Sequence, residues 1–257
     1  MSDNLYNSKL VNKVSKIVKH AAYILKKPVE NIKSSSYNPS TNLDIEVSNF
    51  LSKSLKELVN AHVISEEDFV SKEKYDNLSW VIDPIDGTIN FINNAPDFAI
   101  SVALVDQNFK ALIAVIYLPY FDEMYTAVKG EGANINDKEI LLKKIDYNIV
   151  SYGLPNDSKM RFIEISNDIK NLVQQGYILR QTGSASIDIC RVANGVWKSF
   201  FEKGLYIWDI AAADLIAKES GCFSFTQIIN KQLECNYLVS NSMDMYNDLL
   251  IILGMRE

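Results

Sequence analysis

Histidine, cysteine and positive charge are all scarce in this chain, and each shortage removes a class of chemistry. Only His20 and His62 occur in 257 residues, a poor basis for a histidine zinc site or a Ser-His-Asp triad. Cys190, Cys222 and Cys235 stand far apart with no CxxC pair. Three cysteines cannot all pair within one chain, and these read as reduced thiols of a cytoplasmic protein. No apolar run reaches the ~18 residues of a membrane span. The first residues, MSDNLYNSKLVNKVSK, are too polar for a signal peptide, so no membrane partner is expected. Lys and Arg number 26 against 32 Asp and Glu, a formal net charge of −6. That balance speaks against a nucleic-acid polymer as partner. An acidic protein can still take an anionic substrate where a metal ion supplies positive charge locally.

Nearly half the chain is apolar, 47%, enough for one large core. Residues 5–26 carry Leu10, Val14, Ile17, Val18, Ala21, Ile24 and Leu25 at helical spacing, and Pro28 closes the pattern. NIKSSSYNPSTN (31–42) reads as a loop. Asp44 opens a second amphipathic helix. Short strands are expected at His62–Ile64 and at Leu78–Ile82, the latter ending at Asp83. FAISVALVD, KALIAVIYLP, EMYTAVKG and EGANIND read as an antiparallel meander. The second half alternates: strands at IVSYG, YILRQT, VWKSFFE and YLVSN, helices over 157–175, 184–194, 207–220 and 243–253. The fold class is α/β, an α+β layered sandwich. No linker composition interrupts the chain, so 1–257 is expected to be a single domain, with subregions 1–145 and 146–257.

One stretch concentrates chemistry. In WVIDPIDGTINF, Trp80 to Phe91, two aspartates flank a proline at the end of an apolar run, and Gly-Thr follows directly. Pro84 fixes φ and removes a donor, so a turn is expected there. Asp83 and Asp86 then face one point, where two carboxylates repel unless a proton or cation lies between them. Oxygen ligands without a nearby histidine favour Mg²⁺ or Mn²⁺ over Zn²⁺. Gly87 permits close backbone approach, and the Gly87 and Thr88 amides could cradle an anion at a helix start. A D-P-x-D-G segment is also an ordinary β-turn. Ser65-Glu66-Glu67-Asp68 and Trp208-Asp209 add two more acidic strand or loop ends. Glu66 and Glu67 could be solvated loop charges, and Asp209 a helix N-cap.

Taken together, these segments resemble the inositol monophosphatase family. Trp80–Phe91 resembles its signature WxxDPxDGTxNF, and WDIAAADLIAKESG (208–221) its second signature. ISEEDF is similar to the family's IGEES, and Gly183-Ser184-Ala185 to its GSAA turn. The resemblance runs from about Lys33 to Gly221. It implies the sugar-phosphatase sandwich and Mg²⁺-dependent hydrolysis of inositol monophosphate or a related small sugar or polyol phosphate. Alternatives in the same superfamily are a fructose-1,6-bisphosphatase, an NADP(H) 2′-phosphatase or a 3′(2′),5′-bisphosphate nucleotidase. A non-catalytic binding protein on the same fold is a further alternative. The resemblance also implies roles. Glu66, Asp83 and the Ile85 carbonyl would bind one Mg²⁺, and Asp83, Asp86 and Asp209 a second, with a third ion in some relatives and Mn²⁺ as a substitute. Glu66, Thr88 and Asp44 would activate water. Gly87 and Thr88 would hold phosphate. Gly183, Ser184, Ala185, Glu202 and Asp209 would contact the substrate. Lithium sensitivity and a homodimer are further family expectations.

Several positions depart from the family pattern. Asn38 replaces an aspartate, Ser65 a glycine and Ile89 a polar residue. Ser48 stands where a glutamate is common, Lys198 where an acid is frequent, and Cys222 where the second signature ends in glycine. Ser48 and Asn38 bear on any third metal site. Lys198 and Lys203 flank Glu202. Either both point outward as solvated charges, or one faces the pocket mouth and favours a second anionic group on the substrate.

Overall fold

The computed structural model describes residues 6–33, 39–72, 75, 77–143, 145–154 and 159–255. Asn38 lies outside them. Two helices come first, α1 (Ser8–Ile24) and α2 (Asn42–Leu58), joined through a short ladder of β1 (Ile32–Lys33) and β2 (Ser40–Thr41). The segment expected to be loop therefore carries two short paired strands. β3 (His62–Ser65) and β4 (Leu78–Asp86) begin a seven-stranded sheet. It continues through β5 (Ala99–Asp106), β6 (Ala111–Leu118), β7 (Glu123–Val128), β8 (Gly132–Ile135) and β9 (Lys138–Glu139). β3 pairs parallel to β4, and the strands from β4 onward pair antiparallel as the expected meander. A five-residue helix, α3 (Thr88–Ile92), follows β4.

The second sheet runs in the order β11-β10-β12-β14-β13. Its strands are β10 (Ile149–Tyr152), β11 (Ile178–Arg180), β12 (Ser199–Tyr206), β13 (Phe223–Ile228) and β14 (Glu234–Ser240). Its helices are α4 (Lys159–Gln174), α5 (Ala185–Ala193), α6 (Ile207–Glu219) and α7 (Met243–Ile252). β10 pairs parallel with both neighbours, whereas β12, β14 and β13 are antiparallel. β13 is absent from the sequence reading. CFSFTQII alternates weakly, and its strand forms as an edge against β14.

Side-chain alternation sets the layers. On β4, Trp80 and Ile82 pack with α1 and α2, whereas Val81 joins the cluster of α5 and α6, as a period of two requires. On β12, Phe200 faces α5 and α6, and Phe201 faces α4 and α7. The order is thus helix pair, sheet, helix pair, sheet, helix pair. α6 lies between the two sheets and is apolar nearly all round, with Ala211, Ala212, Ala213 and Ala217 buried, as a doubly covered helix must be. No helix among the described residues is long and apolar enough to cross a membrane. The three cysteines are buried and free.

Candidate active site

β4 does not turn at Pro84. The strand runs on to Asp86, and its register shifts between Asp83, opposite Ser101, and Asp86, opposite Ala99. Pro84 and Ile85 form a bulge, where a residue without an N–H leaves no ladder bond unmade. The chain turns at Gly87 instead. Its φ is +92°, and a Cβ there would lie 2.8 Å from the Asp97 carbonyl oxygen, so both conformation and space call for glycine. The bulge places Asp83 and Asp86 on the wall of one cavity of about 320 Å³.

That cavity also receives Glu66 from the turn after β3, Asp209 from α6, Glu202 from β12, and Gly87, Thr88, Gly183, Ser184 and Ala185. Ile85 lines it as well. Asp44 lies one hydrogen bond behind, reached by Thr88 Oγ1 at 3.3 Å. The cavity and its immediate support thus include Asp44, Glu66, Asp83, Ile85, Asp86, Gly87, Thr88, Gly183, Ser184, Ala185, Glu202 and Asp209, whereas Glu67 turns away to Ser40.

Most of the acids are held by short local bonds. Asp83 Oδ1 accepts from the Ile85 amide at 3.0 Å. Asp86 Oδ2 accepts from Ser184 Oγ at 2.9 Å and the Ser186 amide at 2.6 Å. Asp209 Oδ2 accepts from the Tyr206 amide at 2.7 Å. Asp44 Oδ2 accepts from the Thr41 amide at 2.7 Å and its hydroxyl at 2.5 Å. Asp44 and Asp209 each occupy the third position of a helix. Asp44 completes a capping box with Thr41, and Asp209 caps its helix by accepting from the Tyr206 amide. So Asp209 is not the N-cap, and Asp44 does not open α2, which starts at Asn42 behind the Thr41 cap. A capping role and a site role coincide in one side chain, because the helix start that fixes the carboxylate is the same helix start that reaches the cavity.

Electrostatics are one-sided. Glu66, Asp83, Asp86, Asp188, Glu202 and Asp209 line the cavity, and no Lys, Arg or His does so among the described residues. Burial, then repulsion from Glu66, Asp86, Asp209 and Asp44, raises the Asp83 carboxyl well above its usual range. Burial followed by neighbouring acids does the same to Asp209, Glu202 and Asp188. Asp86 rises less, since its serine donors and the Ala185 amide oppose burial. Asp44 is raised by burial and partly restored by Thr41.

Several residues of the site escaped the sequence reading, three of them polar or positioning groups. Asp188 is buried on α5 and bonded to Thr182 Oγ1 at 2.9 Å; a lone acid in the apolar run ASIDICRVA was the available signal. Gly153 makes room for Glu202, since a Cβ there would sit 1.7 Å from Glu202 Oε2. Only the fold reveals that contact. Asn90 donates to the carbonyls of Asp97 at 2.6 Å and Thr182 at 2.8 Å, fastening the Asp86–Thr88 turn to the Gly183 turn.

The departures also find their places. Ser48 and Ser65 meet each other, Oγ to Oγ at 2.8 Å, in a buried contact behind Glu66. Lys203 sits on the Phe201 side of β12 and bonds Glu164 at 2.6 Å and Asp168 at 2.8 Å on α4. Lys198 bonds Asn148 Oδ1 at 2.8 Å. Neither lysine faces the cavity mouth, and Lys203 is not a solvated charge either. Its ammonium is neutralised by two carboxylates.

Alternating layers around a carboxylate-lined cavity define a layered α/β sandwich with its site at the junction of both sheets. The sequence profile of the inositol monophosphatase family matches residues 3–244, and the chain belongs to that family. It is similar to a Nus factor SuhB of Pasteurella multocida, 36% identical over 163 residues, 62% of this chain and 60% of that one. A fructose-1,6-bisphosphatase/inositol-1-monophosphatase of Aquifex aeolicus is 36% identical over 163 residues, 62% of this chain and 61% of that one. The matched part thus spans about three fifths of these relatives. Among solved structures, the extragenic suppressor protein suhB of Bartonella henselae superposes with a TM-score of 0.81 at 25% identity, covering 97% of this chain and 98% of that one.

Proposed function

We propose that the protein is a Mg²⁺-dependent phosphomonoesterase acting on a small phosphorylated polyol or sugar, with inositol monophosphate as the family's default. One observation carries the reading: six carboxylates and no basic side chain line the cavity among the described residues. A phosphate dianion would be repelled from such a wall unless cations came with it. The donor set fits a hard cation, all oxygen and mostly anionic. As arranged, no group of three or more acidic, histidine or cysteine side chains among the described residues is drawn close enough to hold an ion. Repulsion among Glu66, Asp83, Asp86 and Asp209 opposes their closer approach without a cation between them.

Glu66, Asp83, the Ile85 carbonyl, Asp86 and Asp209 would hold the metal. Bound Mg²⁺ would acidify water and offset charge on the phosphoryl and leaving oxygens. The remaining steps belong to the chain itself. Thr88 Oγ1 has one proton, directed at the Ile85 carbonyl at 2.9 Å or at Asp44 at 3.3 Å. Its lone pairs are therefore available to accept a proton from the attacking water, with Asp44 taking the hydroxyl proton in turn. Glu66 orients the same water. The Gly87 and Thr88 amides donate to phosphoryl oxygens. Glu202 and the Gly183–Ala185 turn bind the alcohol. A substrate with a second anionic group is disfavoured, because Lys198 and Lys203 are engaged elsewhere. We also infer a homodimer and a cytoplasmic location.

The test is phosphate release from a panel of phosphate monoesters with Mg²⁺ and with chelator. Turnover that requires Mg²⁺ and favours monophosphates is expected. Absence of turnover on every ester would leave a binding protein on this fold, and preference for a bisphosphate would overturn the argument from the missing cations.

A further inference from the structure

The floor of the cavity is acidic, but its mouth is not. Ile89 is 51% exposed and Leu154 is 38% exposed, and Phe162 is half-buried. All three line the same cavity. They come from separate places: Ile89 from α3 directly after Thr88, Leu154 from the segment after β10, and Phe162 from α4. Single exposed apolar side chains are ordinary, but a group of them beside a binding cavity marks an apolar contact surface.

Their position relative to the polar groups is informative. Glu202 and Asp188 offer carboxylates inside the cavity and would accept hydroxyls. A fully hydroxylated alcohol would satisfy those acceptors but bury no apolar surface against Ile89, Leu154 and Phe162. An alcohol with an apolar face would match both sides.

α4 is fixed to β12 through Lys203. The side chain is only 15% exposed and bonds both Glu164 and Asp168, which follow Phe162 on α4 within about two turns. The alternation on β12 sends Glu202 into the cavity and the next residue, Lys203, to the helix that supplies Phe162. The acceptor and the apolar contact are thereby held to one strand.

We propose that Ile89, Leu154 and Phe162 form an apolar wall of the alcohol subsite, so that the enzyme prefers phosphate monoesters whose alcohol carries a phenyl-sized apolar group, with Lys203 as the residue that positions Phe162. This rests on the phosphomonoesterase reading above.

The test compares kcat/KM for 2-phenylethyl phosphate, ethyl phosphate and inositol 1-phosphate in the Mg²⁺-loaded enzyme. The first two leave as aliphatic alkoxides of similar basicity and differ by one phenyl group. Wild type should favour 2-phenylethyl over ethyl phosphate by about tenfold or more, the scale of burying one aromatic ring. That ratio should collapse toward one in Phe162→Ala and Ile89→Ser. Lys203→Met should raise KM for 2-phenylethyl phosphate with little change in its kcat, and Lys203→Arg should restore it. Because each ratio is taken within one preparation, a loss of folded protein cancels. A wild-type ratio near one, or a ratio unchanged in the variants, overturns the wall while leaving the phosphatase reading standing. No turnover of any of the three esters sinks both.

Discussion

Asp83→Asn separates the metal reading from a merely structural one, because the two predict opposite changes in stability. Asp83 is 2% exposed and faces repulsion from Glu66, Asp86, Asp209 and Asp44. Its one local bond, from the Ile85 amide to Oδ1, survives in asparagine, whose carbonyl oxygen accepts equally well. The new amide group can donate to a neighbouring carboxylate. One such bond is worth about 1 kcal/mol, and the lost repulsion adds to it. For a chain of this size each kcal/mol moves Tm by roughly 2–4 °C, so the metal-free variant should melt a few degrees above wild type. The pH dependence follows the same sign. Asp83, Asp86 and Asp209 have folded-state values raised above the unfolded ones, so the folded state holds more protons. Metal-free stability should fall as pH rises from about 4 through those raised values, and Asp83→Asn should flatten that fall. With Mg²⁺ the order reverses. Wild type gains about 2.7 kcal/mol at a hundredfold excess over Kd, and the variant gains little. Its turnover should drop by far more than tenfold, a loss well beyond 1.36 kcal/mol. Scanning calorimetry with Mg²⁺ and with chelator, alongside phosphate release, reads all of this. A metal-free variant less stable than wild type, or one that keeps over about a tenth of wild-type turnover, would refute the reasoning.

Thr88→Ala should lower kcat much more than it raises KM, since its hydroxyl acts on the water and not on the alcohol; steady-state kinetics showing a change confined to KM would move it to a binding role. Gly153→Ala places a Cβ 1.7 Å from Glu202 Oε2 and must displace that carboxylate. It should weaken polyol binding to the same degree as Glu202→Gln, about 1–3 kcal/mol, and the double variant should lose no more than either single one. Li⁺ should slow phosphate release relative to K⁺ at equal ionic strength, and equal rates would count against Asp86 and Asp209 as a cation site. Ser48→Ala and Ser65→Ala should each cost about 1 kcal/mol in urea unfolding, with a coupling energy of similar size if the 2.8 Å contact is formed.

What the sequence disclosed and what it hid divide along a physical line. Each acidic segment alone has an ordinary explanation as turn, solvated charge or helix cap, and the acids were legible because several segments agreed, in order, with one family's pattern. The layers were legible because periods of two and 3.6 are local properties. Pro84 misled, since a proline reads as a turn unless a bulge is known to excuse it from the ladder, and a bulge is a relation between two strands. Gly153 carries no local mark at all. Its φ is unexceptional, and only the approach of Glu202 from β12 explains it. The departures show the same thing from the other side. Taken singly, Ser48 and Ser65 look like losses from a family pattern. In the fold they are one hydrogen bond, a hydroxyl pair that secures the end of β3 and hence the entry of Glu66. Lys203 likewise reads from sequence as either a solvated charge or a charge at the pocket mouth, when the pleat of β12 turns it to neither and sets it against the acids of α4. Such residues are intelligible only as pairs, and the partner lies on another element. A reading that treats each departure as a change to the chemistry will therefore overstate divergence at the metal ligands, and understate it at the cavity mouth. There Ile89 is 51% exposed and lines the cavity itself, so its change bears directly on what the site accepts.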